Sequence, residues 1–205
     1  MNLHYETVSP LLKETLQKLV NSPIFKDFTL IGGTCLSLQL GHRRSIDIDL
    51  FTDIDYGTMN TKEMKEFIQR SFPYSENTDS LDTSALGYTL YMGDSPIDKI
   101  KVDFFYTEKF IFPIQEIDHI RIADIREIAA MKLSAITEEE PRQKDFWDIH
   151  ELNEKYSFKD MIDWGIKRNE WSVTEEGILN GFQKIDSVKN SVTHCKHSSV
   201  YRLSF

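Results

Sequence analysis

Three aspartates and a glycine pair have the types and spacing to do chemistry in this chain. Ser45-Ile46-Asp47-Ile48-Asp49-Leu50-Phe51 alternates apolar and acidic residues, the period of a half-buried strand. Residues two apart on a strand face the same side, about 6.5–7 Å apart, so Asp47 and Asp49 point together while Ile46, Ile48 and Leu50 point away. Two carboxylates side by side repel unless a cation lies between them or water screens them. Hard oxygen ligands on a rigid element suit Mg2+, which takes one or two carboxylates together with substrate phosphates. A D-x-D triplet alone reads equally well as the acidic outer side of a sheet edge. Lys101-Val102-Asp103-Phe104-Phe105 adds a third acid inside a second strongly β-forming run. A buried, unpaired Asp103 is costly, and a metal or a cation such as Lys101 removes that cost. Three carboxylates on neighbouring strands can hold two Mg2+ (or Mn2+) about 3.5–4 Å apart, the arrangement used for in-line phosphoryl displacement.

Gly32-Gly33-Thr34 follows the apolar run 28–31 and precedes Leu36, Leu38 and Leu40, with Gly41 ending the segment. Glycines let backbone approach a phosphate closely, and free N–H groups at a helix start favour an anion. Thr34 is expected to cap this helix and to offer a hydroxyl to the same phosphates. Gly-Gly alone is also an ordinary strand-to-helix turn.

The elements that must position these residues follow from periodicity. Ser9-Pro10 with Leu11, Leu12, Leu16, Leu19 and Val20 reads as a capped amphipathic helix ending near Asn21-Ser22-Pro23. Residues 61–72 read as a helix, 85–92 and 97–106 as antiparallel strands joined through Gly93-Asp94-Ser95-Pro96, and 110–123 as extended with room for one further strand. From Asp124 the pattern turns helical: 124–136 capped by Asp124 with Glu127, then 142–156, 158–167, and a fourth helix capped by Ser172 with Glu175 and running to 185. The expected class is α+β, with an α/β core over residues 1–120 and a helical part over 121–205 that packs on the core and completes the site. Residues 191–199 read as a loose polar tail.

Two helices carry charges on apolar stripes. Ile125, Ile128, Ala129, Lys132 and Ile136 fall on one stripe, and Asp145, Ile149, Leu152 and Tyr156 on the next, with Asp148 at its border and Lys144 directed away. Lysine on an apolar stripe needs a partner. Either a buried Lys132–Asp145 pair joins the helices, or Lys132 faces a phosphate with Asp145 or Asp148 behind it. Arg43 and Arg44 read as solvent-exposed, Trp147 and Trp164 as packing residues, and Glu138-Glu139-Glu140 as a solvated loop; His42 lacks a second ligand nearby in sequence.

Bulk composition narrows the partners. The net charge of −9 weighs against non-specific coating of nucleic acid, so any RNA contact must be local. No apolar run approaches the roughly 18 residues of a membrane span, and Met1-Asn2-Leu3-His4 does not begin a secretory signal. Cys35 and Cys195 lack metal-type spacing; free thiols in a cytoplasmic protein are expected, with a disulfide left open.

Gly32-Gly33-Thr34, twelve intervening residues, Asp47-Ile48-Asp49 and the later strand acid Asp103 resemble the DNA polymerase β-like nucleotidyltransferases. More narrowly, residues 31–34 and 41–51, the helix around Asp124-Ile125-Arg126-Glu127-Ile128-Ala129-Ala130-Met131-Lys132-Leu133, and Lys144-Asp145-Phe146-Trp147-Asp148-Ile149 resemble the AbiEii/AbiGii-type toxin family. The resemblance covers residues 28–152 and leaves the C-terminal part unmatched. It implies a small mixed sheet with helices, an NTP substrate and Mg2+ or Mn2+ held by Asp47, Asp49 and Asp103. It further implies triphosphate contacts from Gly32, Gly33, Thr34 and Lys132, with Lys132, Asp145 and Asp148 completing the catalytic set. Proteins of this kind act as toxins in toxin–antitoxin or phage-defence systems, and some add nucleotides to the tRNA 3′ end, which implies an RNA acceptor and a cognate antitoxin. Three other readings stand beside nucleotide transfer to RNA: transfer of AMP to a protein side chain, a non-catalytic nucleotide-binding module, and a purely structural interaction domain that binds no nucleotide.

Overall fold

The computed structural model describes residues 2–77, 86–185 and 188. Among these residues seven strands, β1 (Thr29–Ile31), β2 (Asp47–Thr52), β3 (Tyr74–Asn77), β4 (Gly87–Ser95), β5 (Asp98–Tyr106), β6 (Gln115–Ile117) and β7 (Ile120–Ile122), form one mixed sheet in the order β3-β4-β5-β2-β1-β7-β6. The β2–β5 and β1–β7 pairs are parallel and the others antiparallel. Alternation along β2 is as its sequence implies: Ile48, Leu50 and Thr52 are buried, while Asp47, Asp49 and Phe51 are half-buried on the other face.

The apolar face is covered by α1 (Pro10–Val20) and α3 (Thr61–Ser71). Ser9 Oγ caps α1 by accepting from the Leu12 amide at 3.1 Å, and the helix buries Leu12, Leu16 and Leu19, each contributing about 1.5–3 kcal/mol. Tyr88 of β4 donates its hydroxyl to Met64 of α3 at 3.4 Å. Between β1 and β2 runs α2 (Gly32–Leu40), closed by Gly41 in the left-handed conformation. The change from sheet to helix falls at Asp124, whose carboxylate caps α4 (Ile125–Thr137). This helix packs against α2, α5 (Gln143–Asn153), α6 (Phe158–Arg168) and α7 (Glu175–Phe182). One continuous hydrophobic core runs from α1 to α7.

Several local expectations change. Segment 110–123 forms a hairpin, β6–β7, whose turn residues Asp118 and His119 have φ of 53° and 64°; the two left-handed positions of a tight hairpin are filled without the Asn-Gly signal that would have revealed them. The short edge strand β3 carries no apolar alternation and was not legible. The cap of α7 is Thr174, accepting from the Gly177 amide at 3.0 Å, not Ser172. Helix α5 stops at Asn153, freeing Tyr156 to pack edge-on against Trp164 at 5.1 Å. The expected strand start at Ala85, the polar tail and Cys195 lie outside the described residues. Among the described residues, no helix is long and apolar enough to cross a membrane.

Candidate active site

Parallel pairing of β2 with β5 sets Asp49 opposite Asp103 and Asp47 opposite Lys101. Cross-strand partners share a face, so the three carboxylates stand together on the open side of the sheet. Asp103 accepts from Thr89 Oγ1 of β4 at 2.5 Å and pairs with Lys101 Nζ at 2.5 Å. The cation anticipated beside Asp103 is therefore Lys101. Asp47 lies 3.6 Å from Lys144 Nζ. Burial, with repulsion from Asp103 and Asp47, pushes the Asp49 carboxyl up to about 6 against the pull of Lys132 and Lys101. Three carboxylates, Asp47, Asp49 and Asp103, face two lysines, Lys101 and Lys144, so the cluster holds one negative charge more than these lysines neutralise.

That imbalance and the hard oxygen donors fit Mg2+ or Mn2+. Among the described residues, no three acidic, histidine or cysteine side chains converge into a self-sufficient metal cage. A cation here would complete its shell with phosphate oxygens and water, as Mg2+ commonly does.

The glycine bend serves the protein's own side chains first. Gly32 has φ +70°, and a Cβ there would lie 2.2 Å from Asp49 Oδ2. A Cβ at Gly33 would lie 2.4 Å from Arg43 Nη2. Helix α2 begins at Gly32 itself, and its N-cap, Ile31, supplies no side-chain hydrogen bond. Thr34 is therefore not the cap. Thr34 is 1% exposed, and its hydroxyl bonds the Asp47 carbonyl and lies 2.8 Å from Ser45 Oγ. It ties α2 to the first residue of β2 rather than reaching toward a phosphate.

Behind the acids lies a buried charge network. Asp148 is fully buried and meets His42 Nε2 at 2.9 Å, Arg43 Nε at 2.6 Å, Arg43 Nη2 at 2.8 Å and Lys132 Nζ at 2.8 Å. Lys132 also reaches Asp145 at 2.5 Å, and Arg142 Nε donates to Asp145 at 2.9 Å. Burial pushes the Asp148 carboxyl up, but Lys132, Arg43 and His42 outweigh it and hold it well below the usual range. For Lys132, burial lowers the pKa and the two aspartates more than restore it. Three cations (Arg43, Lys132, Arg142) face two aspartates, leaving one positive charge beside the acidic cluster when His42 is neutral.

Two orientations differ from expectation. Arg43 is 3% exposed, because a bidentate carboxylate 105 residues away desolvates it; Arg44 is exposed as expected. Lys144 turns toward Asp47 instead of away, since a lysine stem is long enough to reach back from the border of a helix stripe. The Lys132–Asp145 pair joins α4 to α5, and Asp148 extends it to the segment before β2. Arg43, Arg142 and Lys144 are the site-lining cations missed in the sequence; the cue was their closeness in sequence to Asp47 and Asp145. Trp164 packs on Phe112 and Tyr156, and Glu138 to Glu140 are exposed.

A mixed sheet with paired acids facing the start of a helix defines a nucleotidyltransferase-fold protein. A putative nucleotidyltransferase from Helicobacter pylori has the same fold, with a TM-score of 0.53 at 17% identity over 88% of this chain and 95% of that one. MenT4, a nucleotidyltransferase toxin from Mycobacterium tuberculosis H37Rv, aligns with a TM-score of 0.48 at 14% identity over 76% of this chain and 62% of that one. An uncharacterized protein from Aquifex aeolicus (strain VF5) is 34% identical over 155 residues, 71% of this chain and 67% of that protein. The profile of the nucleotidyl transferase AbiEii toxin family, of type IV toxin–antitoxin systems, matches residues 14–171. The chain belongs to the AbiEii nucleotidyl transferase toxin family.

Proposed function

We propose that this protein transfers a nucleoside monophosphate from an NTP to an acceptor hydroxyl on RNA, such as a tRNA 3′ end, releasing pyrophosphate. The observation that carries the reading is the register of Asp49 against Asp103, with Asp47 on the same face and the uncapped start of α2 alongside. Membership of a nucleotidyl transferase toxin family supports it. Asp47, Asp49 and Asp103 would hold Mg2+ or Mn2+, which on binding with the NTP supplies charge neutralisation and acidifies the acceptor hydroxyl.

The residues of this chain divide the remaining work. Backbone N–H groups at Gly32 and Gly33 face the triphosphate, and Thr34 steadies Asp47 from behind. Lys144 and Arg142 line the Asp47 side of the site, where a leaving pyrophosphate gathers charge, and Lys132 adds its field from within the network. Asp145 and Asp148 keep those cations in place. Asp103 stands on the other flank, toward the acceptor. A toxin of this family implies a cognate antitoxin as protein partner, and a cytoplasmic site of action accords with an NTP substrate.

The test is incubation with each labelled NTP, Mg2+ or Mn2+, and total RNA or cell lysate, beside Asp47→Ala and Asp103→Ala. Label on RNA that both substitutions abolish supports the proposal. Label on protein moves the acceptor to a side chain, and NTP binding without transfer makes the chain a regulatory module. Either result overturns an RNA acceptor.

A further inference from the structure

The face that carries the acids continues past Asp103 to the sheet edge. Register sets Thr89 of β4 beside Asp103, Tyr91 beside Lys101 and Gly93 beside Lys99; on β3 it sets Glu76 beside Tyr91 and Tyr74 beside Gly93. Lys99 Nζ lies 4.7 Å from the Tyr91 ring centroid and 5.5 Å from that of Tyr74, so both rings stand on this face. The opposite face, with Leu90, Met92, Ile100 and Val102, is buried where α1 and α3 pack. Tyr74, Tyr91, Lys99 and Lys101 are all partly exposed. Gly93 brings no side chain, so backbone alone floors the space between Tyr74 and Lys99.

From strand rise and spacing, Tyr91 lies roughly 8 Å and Tyr74 roughly 16 Å from Asp103. Two rings therefore step outward from the catalytic acids with lysines between them. A sheet face bearing aromatics can stack two or three unpaired bases, while neighbouring cations follow the phosphates. A duplex hides its bases from such a platform. Lys99 also pairs with Glu76 at 2.7 Å, both side chains being partly exposed at 27% and 49%; an exposed pair of this kind is weak and yields to a phosphate. In a chain of net charge −9, the charges of this strip balance, Lys99 against Glu76 and Lys101 against Asp103. Its alternation of ring and cation, without a contiguous apolar patch, suits a nucleic-acid strand better than a protein surface.

Resting on the nucleotidyl-transfer reading above, the geometry points to a seat for a single-stranded polynucleotide end: its last bases stack on Tyr91 and Tyr74, its phosphates meet Lys99 and Lys101, and its terminal hydroxyl reaches Asp103. This assigns the acceptor to single strands and gives its path a direction, from the β3 edge inward.

The test measures anisotropy of a short labelled single-stranded RNA, and of the same RNA in a blunt duplex, on the full chain and its variants. In parallel, KM is measured separately for RNA and for NTP. Tyr91→Ala is expected to weaken single-strand binding and raise the RNA KM about tenfold, equivalent to about 1.4 kcal/mol for one lost stacking contact, while the NTP KM stays put. Tyr91→Phe, which keeps the ring, restores most of the loss and excludes misfolding as its cause. Lys99→Ala lowers the slope of log K against log salt by about 0.7, one phosphate contact on a single strand. If the wild type labels RNA and Tyr91→Ala leaves the RNA KM unmoved, the strip is refuted and the transfer reading stands. Tyr91-dependent binding with no transfer to any acceptor supports the strip and overturns the transfer reading. Label on protein with no RNA binding overturns both.

Discussion

Replacing Asp148 by alanine tests whether the buried network holds the helical half against the acidic strand. The carboxylate is fully buried, accepts from His42 and twice from Arg43 at 2.6 to 2.9 Å, and forms an ion pair with Lys132 at 2.8 Å. Its removal deprives the buried Arg43 and Lys132 of the carboxylate that both of them meet. Breaking a buried pair from one side costs about 3–5 kcal/mol, a large part of the ~5–15 kcal/mol that holds a domain folded. With a urea slope near the upper end of the range of about 1–3 kcal/mol/M, since the slope grows with chain size, the unfolding midpoint is expected to fall by on the order of 1–2 M. Trp147 on α5 and Trp164 on α6 report the transition by fluorescence. The sign with pH follows from the depressed Asp148 carboxyl. Its stabilisation is present above the unfolded value of about 3.9 and is lost as pH falls from there toward the folded value. The gap between wild type and variant therefore stays level from neutral pH down to about 5 and narrows below about 4. Adding Lys132→Met to Asp148→Ala removes one stranded cation and recovers about 1 kcal/mol or more. A midpoint shift below about 0.3 M, or a gap that ignores acid, would refute the reasoning.

Gly32→Ala forces a Cβ to 2.2 Å from Asp49 Oδ2 at a φ of +70°; we expect a loss of about 1–2 kcal/mol from the left-handed backbone and a fall in transfer with any NTP, checked by thermal melts and initial rates. Wild-type melting temperature with little transfer would instead place the glycine's role in phosphate approach. Asp49→Asn is expected to stabilise the metal-free protein. The native carboxyl is raised from 3.8 to about 6, so its ionisation costs stability as pH climbs through that window and the full penalty stands above 6. The gain for Asp49→Asn is roughly 1–3 kcal/mol at pH 7–8 and vanishes near pH 4. Urea midpoints across pH, in chelator, read it directly, and a destabilised variant at pH 8 would contradict the origin assigned to the shift.

Much of this protein was legible in its sequence because the information is local. A two-residue period puts Asp47 and Asp49 on one face whatever the rest of the fold does, and Asp103 within a β-forming run has no comfortable place except beside a cation. Ser9, Asp124 and their helices follow from capping chemistry that spans three residues. Other features needed the tertiary structure. That Asp103 sits beside Asp49 is a register between strands more than fifty residues apart. Arg43 looked like a surface arginine because its partner, Asp148, is 105 residues away. Thr34 looked like a cap and proved a strut, since the bend at Gly32 starts α2 three residues early, with Ile31 in the N-cap position. Lys144 was assigned by helix stripe alone, a measure of where Cβ points, whereas four methylenes decide where the ammonium goes. Sequence spacing thus determined which groups can act together along one strand; packing of α5 against the segment before β2 decided which charges meet across the chain, because Coulomb and hydrogen-bond partners are chosen by distance in space.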